Sequence, residues 1–313
     1  MRVFVAGGTG AIGRALVPHL VEDGHEVVVL ARGAQKAAEV EAMGATAAVA
    51  DPLDGEALTA AIVRAEPEVI IHQLTALVGA GNFKKFDDEF ALTNRFRTEV
   101  TDTLLVAARA VGARRFIAQS FCGWPFAREG GHVKTEEDPL DTNPPASFSK
   151  TLAAIKRLED TIRRTDDVHA VALRYGMLYG PGTGFASDGV IADLVRKRRM
   201  PIVGDGAGIW SFIHVKDAAR ATVAATSRGE PGIYNVVDDE PAPVSTWLPY
   251  LAEVLRAKPP LKLPVWIGRL AIGDGGVSMM TMIRGGSNEK AKRELAWQPV
   301  FPSWRRGFAE EFG

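Results

Sequence analysis

One stretch constrains this chain more than any other. Val3–Gly13 reads VFVAGGTGAIG: an apolar run, then Gly7, Gly10 and Gly13, then an apolar-periodic segment. A strand that turns through glycines directly into a helix is the opening βα unit of a parallel sheet. Gly7 permits the tight turn, Gly10 lets the backbone approach a ligand, and Gly13 lets the helix pack against the strand. The helix N-terminus then presents unpaired N–H groups and a positive dipole end to an anion. With Thr9, Ala11 and Ile12 in the same loop, the pattern predicts a seat for the pyrophosphate of a dinucleotide.

The first half continues in the same rhythm. Apolar runs at Arg2–Ala6, Glu26–Leu30, Ala47–Ala50, Val69–Gln73, Arg115–Gln119 and Ala170–Arg174 alternate with helical patterns at Ile12–Glu22, Gly55–Ala65, Ala91–Val111 and Phe148–Arg164. Several runs are apolar throughout, as expected of strands covered on both faces. The expected fold is α/β, a doubly wound parallel sheet (Rossmann fold) over residues 1–175, with return strands near 210–238. Residues 176–209 and 239–313 are expected to form a smaller C-terminal substrate lobe. Within it Trp247, Trp266, Met279, Met280 and Met282 suggest an apolar pocket. The segment Phe121–Pro145 is long for a strand-to-helix connection and reads as a substrate lid.

With 313 residues, 46% of them hydrophobic, the chain can bury a large core. A formal net charge of −1 argues against nucleic-acid or anionic-membrane partners. The single cysteine, Cys122, excludes an internal disulfide and a multi-cysteine metal site, and no metal is expected. The chain begins in a strand rather than a charged and apolar leader, and no apolar run is long enough to span a bilayer, so a cytoplasmic protein is expected.

The second strand ends at Arg32, where a reader of NAD usually has a carboxylate for the adenine-ribose hydroxyls. A guanidinium there suits a 2′-phosphate, with Lys36 as a second positive charge, so NADP is expected over NAD.

Further pieces follow in order: Asp51–Asp54 (DPLD), His72–Ala76 (HQLTA), Asn94 ahead of Thr103–Arg109 (TLLVAAR), Arg174–Gly182 (RYGMLYGPG) and Ser211–Asp217 (SFIHVKD). Together with the glycine loop they resemble the extended short-chain dehydrogenase/reductases, the NAD-dependent epimerase/dehydratase family, over nearly the whole chain. The resemblance implies Asp51 and Leu53 beside the adenine. It implies Leu74, Thr75, Asn94, Gln119 and Tyr175 along the coenzyme, and a homodimer through Ala91–Val111 and Phe148–Arg164.

It also exposes a gap. Pro145–Lys150 (PASFSK) matches the family's Tyr-x-x-x-Lys segment with Ala146 in place of Tyr, and Phe121 falls at the usual Ser/Thr position. Neither Ala nor Phe can move a proton. Lys150 keeps three donors for the nicotinamide ribose and an attraction for developing negative charge, and Ser120 lies one residue before the missing hydroxyl. Tyr175 is a further candidate for the missing acid. Tyr179 and His214 read as structural, and Cys122 as packing. The expectation is an NADP-dependent oxidoreductase acting on a small-molecule substrate, a small or apolar carbonyl- or alcohol-type compound, at a Tyr-free site with Lys150 and Ser120. The alternatives are a non-catalytic sensor and an epimerase, isomerase or lyase that uses bound NAD(P).

Overall fold

The first strand, β1 (Arg2–Ala6), shows how the sheet is built. Val3 and Val5 point into one apolar layer with Val27, Val29, Val69, Ile71 and Ile117. Phe4 and Ala6 point into the opposite layer with Ile70, Phe116 and Ala118. Residues of one strand thus alternate between two buried layers, which is why the strands read as unbroken apolar runs. The computed structural model describes residues 1–77 and 82–313.

The other strands of the central sheet are β2 (Glu26–Ala31), β3 (Thr46–Val49), β4 (Val69–His72), β5 (Arg115–Phe121), β6 (His169–Tyr175) and β7 (Gly232–Val236). The sheet has seven strands in the order β7-β6-β5-β4-β1-β2-β3. Neighbours are parallel, with Val5 opposite both Val29 and Ile71. Helices α1 (Ala11–Glu22) and, late in the chain, Val215–Ala225 cover one face through Leu16, Val17, Leu20, Ala218 and Ala221. The other face is covered by α2 (Gly55–Ala65), α3 (Thr101–Ala110) and α4 (Ser149–Arg164), through Leu58, Ile62, Leu104, Leu105, Leu158 and Ile162. The strand order reverses at β1, so the carboxyl ends of β1 and β4 flank the crevice where open α/β sheets take ligands.

Three details differ from the sequence pattern. Ala91–Val111 is not one helix: a π turn at Phe96–Val100 separates Ala91–Arg95 from α3. Of the two return runs only β7 joins the sheet; Phe212–His214 pairs instead with Met177–Tyr179, beyond the end of β6. The connection after β5 is packed down rather than loose. Trp124 and Phe126 are buried, and Val133–Lys134 pairs with Gly285–Gly286 of the lobe.

The C-terminal region packs on the carboxyl end of the sheet around a dense group of rings. Trp210 and Trp247 lie 4.8 Å apart, and Phe212 is 5.4 Å from Trp247 and 5.2 Å from Phe308. Each such ring contributes roughly 1.5–3 kcal/mol by burial, enough to hold the lobe to the sheet without regular pairing. Trp247, Met279 and Met280 belong to this core, whereas Trp266 and Met282 are exposed. Among the described residues no helix is long and apolar enough to cross a membrane.

Candidate active site

The glycine loop lies at the reversal of strand order. Gly7 has φ +102°, and a Cβ there would fall 2.5 Å from the Gln73 carbonyl carbon at the end of β4. A Cβ on Gly13 would fall 2.4 Å from the Gly7 oxygen. Gly10 is different: it is exposed, and the one neighbour its Cβ would meet is the Gly7 oxygen at 3.3 Å, a tight contact but not a clash. The first turn of α1 has no acidic residue, and Gly10 caps it without a side chain. The N–H groups of that turn are left for an anion. Arg14 holds the loop from within the helix by donating to the Thr9 carbonyl at 3.1 Å. The Tyr179–Gly182 turn comes close above, a Cβ on Gly182 lying 3.6 Å from that of Ala11. Gln73, whose backbone walls Gly7, has its buried Oε1 without a protein partner. A cradle that only glycine fits, an uncapped helix end and an orphaned buried oxygen suit a dinucleotide.

At the adenosine end Arg32 is exposed and has no partner among the described residues. Lys36 is held by Glu39 at 2.8 Å, and the same carboxylate takes Arg14 at 3.0 Å. Asp51 receives the Leu53 N–H at 2.9 Å and stays exposed, with Leu53 half-buried beside it. Leu74 and Thr75 follow β4 and are half-buried, as is Gln119 near the end of β5.

Three expected residues sit elsewhere. Ser120 is buried, and its hydroxyl donates to Glu159 at 2.8 Å. Glu159 also receives Arg174 at 2.7 and 2.6 Å, so the Ser120 hydroxyl is held in a buried ionic network. The Tyr175 hydroxyl accepts from Gln73 at 2.8 Å and meets Thr222 at 2.6 Å, whose own proton goes to the Ala218 carbonyl. Burial pushes this phenol up to about 12, and its hydroxyl is held by Gln73 and Thr222. Lys150 is exposed on the outer stripe of α4 with Ala153 and Arg157. It lines a crevice shared with Asn94, Arg95 and Thr98, which includes no residue of the glycine loop. The inward stripe of α4 carries Thr151, Ile155 and Glu159 at i, i+4 and i+8, all buried. Lys150 is thus rotated off the face that meets the sheet, and Asn94 is taken by Thr151 at 3.0 Å and Arg97 at 3.2 Å.

Other candidates for the acid are likewise buried. His214 caps Val215–Ala225 by accepting the Lys216 N–H at 3.1 Å, and its other nitrogen meets Glu311 at 2.9 Å. The Tyr179 hydroxyl is buried against Gly307 with no hydrogen-bond partner, and burial raises its pKa. The sequence reading overlooked Arg97, buried and lowered to about 10 by desolvation, and Asp87, which binds the start of α4. Neither lies in a recognisable motif.

A shallow cleft of about 10 Å³, room for about one water, lies at the carboxyl ends of β5 and β6. Its lining is Phe121, Cys122, Gly123, Trp124, Met177, Trp210, Ser211, Met279 and Ile283. Among these only Cys122 has an ionisable side chain, and burial pushes its thiol up, so it stays protonated.

Comparisons with known proteins agree with this geometry. Residues 3–236 match the NAD dependent epimerase/dehydratase family. A 3-diazoavenalumate denitrifying reductase from a Streptomyces species is 43% identical, over 99% of this chain and 100% of its own. A 2-alkyl-3-oxoalkanoate reductase from Stenotrophomonas maltophilia is 25% identical over 97% of this chain and 91% of its own. Among solved structures, UDP-glucose 4-epimerase of Thermotoga maritima superposes with TM-score 0.76 at 23% identity, covering 100% of this chain and 97% of that one. The human epimerase family protein SDR39U1, solved with NADPH, gives 0.75 at 20% identity, with 99% of each chain covered. With a glycine cradle at the sheet's switch point and the family match across most of its length, the chain belongs to the NAD-dependent epimerase/dehydratase family and is a nicotinamide-dependent oxidoreductase of the short-chain dehydrogenase/reductase type.

Proposed function

We propose that this chain is an NADP-dependent reductase that passes hydride to its substrate at a site that works without a protein acid. The carrying observation is that candidate proton donors are held in other contacts: Ser120 by Glu159, Tyr175 by Gln73 and Thr222, and His214 by Glu311. When bound, the reduced nicotinamide supplies the hydride. The loop from Gly7 to Gly13 would hold the pyrophosphate, Arg32 the 2′-phosphate, and Asp51 with Leu53 the adenosine.

The missing acid bears on the kind of acceptor. A carbonyl that takes up hydride becomes an alkoxide, which needs a proton. An aryl diazonium ion that takes up hydride becomes the arene and releases dinitrogen, so charge and atoms balance with no proton. A site without a protein acid favours the second class over the carbonyl type. The likeness to a reductase named for 3-diazoavenalumate, along the whole chain, supports the same reading.

NADPH deuterated at the transferred position, incubated with a benzenediazonium salt, tests it. Deuterated benzene is expected, formed above the protein-free rate, with no label entering from heavy water. Reduction of acetophenone but not of the diazonium salt would overturn the assignment. For the coenzyme, Arg32→Ala is expected to lower kcat/KM for NADPH by about tenfold or more, as loss of charge-assisted hydrogen bonds implies, and to leave NADH unaffected. An unchanged NADPH value would reject Arg32 as the phosphate reader.

A further inference from the structure

The helix Val265–Thr281 carries apolar side chains that the fold leaves uncovered. Trp266 is 66% exposed and Leu270 71%. Their spacing, i and i+4, puts them on one stripe. Gly268, two residues from each, lies on the opposite side, where a Cβ would fall 2.5 Å from a methyl of Val203. The helix is thus pressed onto Ile202–Val203 through its glycine, and that contact turns the stripe outward. The stretch ends at Gly273, φ +72°, with Lys84 donating to the Leu270 carbonyl at 2.7 Å. Just ahead of the stripe, Leu261 and Val265 are exposed as well.

Basic side chains border this surface. Arg256, Lys258 and Lys262 lead into the helix, all exposed and without a side-chain partner among the described residues. A second basic run, Arg196–Arg199, lies alongside: Arg198 donates to the Pro259 carbonyl at 2.9 Å, and the Ile202 N–H donates to the Leu261 carbonyl at 2.8 Å. No acid occurs between Arg256 and Leu270. On the neighbouring segments Asp193 is held by Lys197 at 2.8 Å and Asp274 by Arg269 at 2.7 Å, while Glu253 and Asp205 are exposed. The whole chain has a net charge of −1, so this positive excess is local.

We propose that this face docks on an anionic lipid surface, with Trp266 and Leu270 entering the headgroup region and the flanking Arg and Lys side chains meeting the lipid charges. Apolar tips bordered by cations are the chemistry that an anionic bilayer interface takes up. A second copy of the chain fits less well, because a two-fold contact sets the patch against itself and brings its cations together. The two side chains also stand out from the helix, and a lipid interface needs no matching pocket to receive them.

The test is co-sedimentation of the full chain with phosphatidylcholine vesicles, pure or containing about one-third phosphatidylserine. The wild type is expected to bind the anionic vesicles about tenfold or more tightly than the neutral ones, and less as salt is raised. Replacing both tips, Trp266→Ser with Leu270→Ser, should weaken that binding by about tenfold or more, and leave the melting temperature unchanged because both are exposed. Lys258→Glu with Lys262→Glu should abolish the preference for anionic vesicles while keeping both tips, and it serves as the test should the serine variant not fold. Absence of binding to the anionic vesicles overturns the proposal, as does equal binding to neutral ones or binding undiminished in both variants. Self-association that the serine variant abolishes, without vesicle binding, would overturn it in favour of a second copy.

Discussion

At the scale of single residues the three loop glycines separate into different jobs. Gly7 and Gly13 are required by the protein itself, since a Cβ at either would strike backbone at about 2.5 Å. Gly10 is pressed less, its Cβ falling 3.3 Å from the Gly7 oxygen, and on the coenzyme reading its main constraint comes from the ligand. Gly13→Ala is therefore expected to lower the melting temperature of the free protein by several degrees, in line with about 1–3 kcal/mol of overpacking. Gly10→Ala should lower the melting temperature less than Gly13→Ala without coenzyme, yet bind NADPH at least about tenfold more weakly. Thermal melts with and without NADPH distinguish the two. The triplet was legible from sequence because each glycine answers a steric demand, but which demand belongs to which glycine emerges only from the packing.

His72 carries a pH dependence of its own. It is buried at the end of β4, with Nε2 3.0 Å from the Phe96 carbonyl and Nδ1 near the Leu74 N–H. Burial lowers it from 6.5 to about 4. Between those values the unfolded chain binds a proton that the folded one does not, so stability rises with pH across the window. The contribution is full above pH 6.5, falls as pH drops toward 4, and amounts to roughly 3 kcal/mol. His72→Gln should flatten the melting temperature between pH 4 and 6.5 relative to wild type. An undiminished slope in the variant would show that another group carries it.

At the scale of elements, α4 teaches most. Its inward stripe is set by Leu152, Ile155, Leu158 and Ile162, and its N-terminus is bound from outside by Asp87. That carboxylate accepts the Lys150 N–H at 2.9 Å, the Thr151 N–H at 2.8 Å and the Thr151 hydroxyl at 2.7 Å. Asp87→Ala removes a cap supplied by a distant segment and is expected to cost about 1–2 kcal/mol, read as a drop of a few degrees in melting temperature. No change would mean water replaces the carboxylate fully. The helix was legible from its period, but the direction of Lys150 was not. Motif spacing placed Lys150 at the coenzyme, whereas the buried stripe decides which residues face inward, and Lys150 lies beside it rather than on it. Ser120 misled for a related reason: Glu159 and Arg174, remote in sequence, claim its hydroxyl. The strands of the sheet were easier, because a strand buried on both faces leaves a continuous apolar run.

At the scale of the whole molecule, function is set by what the lobe adds to a common sheet. The glycine loop forms a cradle at the sheet end, and the ring-rich C-terminal region packs near the ends of β5 and β6, where the described residues leave a small apolar hollow. This was only partly legible. The aromatic and methionine content of the lobe was plain, yet Trp247 and Met280 turn out to be core, and the cleft takes its walls from segments as distant as Phe121–Trp124 and Met279–Ile283. Such convergence depends on tertiary packing and leaves no local pattern.

The central claim is that the cradle between β1 and β4 holds a nicotinamide coenzyme. Isothermal titration of the purified protein with NADPH and with NADH measures it most directly. The account predicts saturable one-to-one binding of NADPH, about tenfold or more tighter than NADH. Absence of binding heat and of any melting shift with both coenzymes would contradict it.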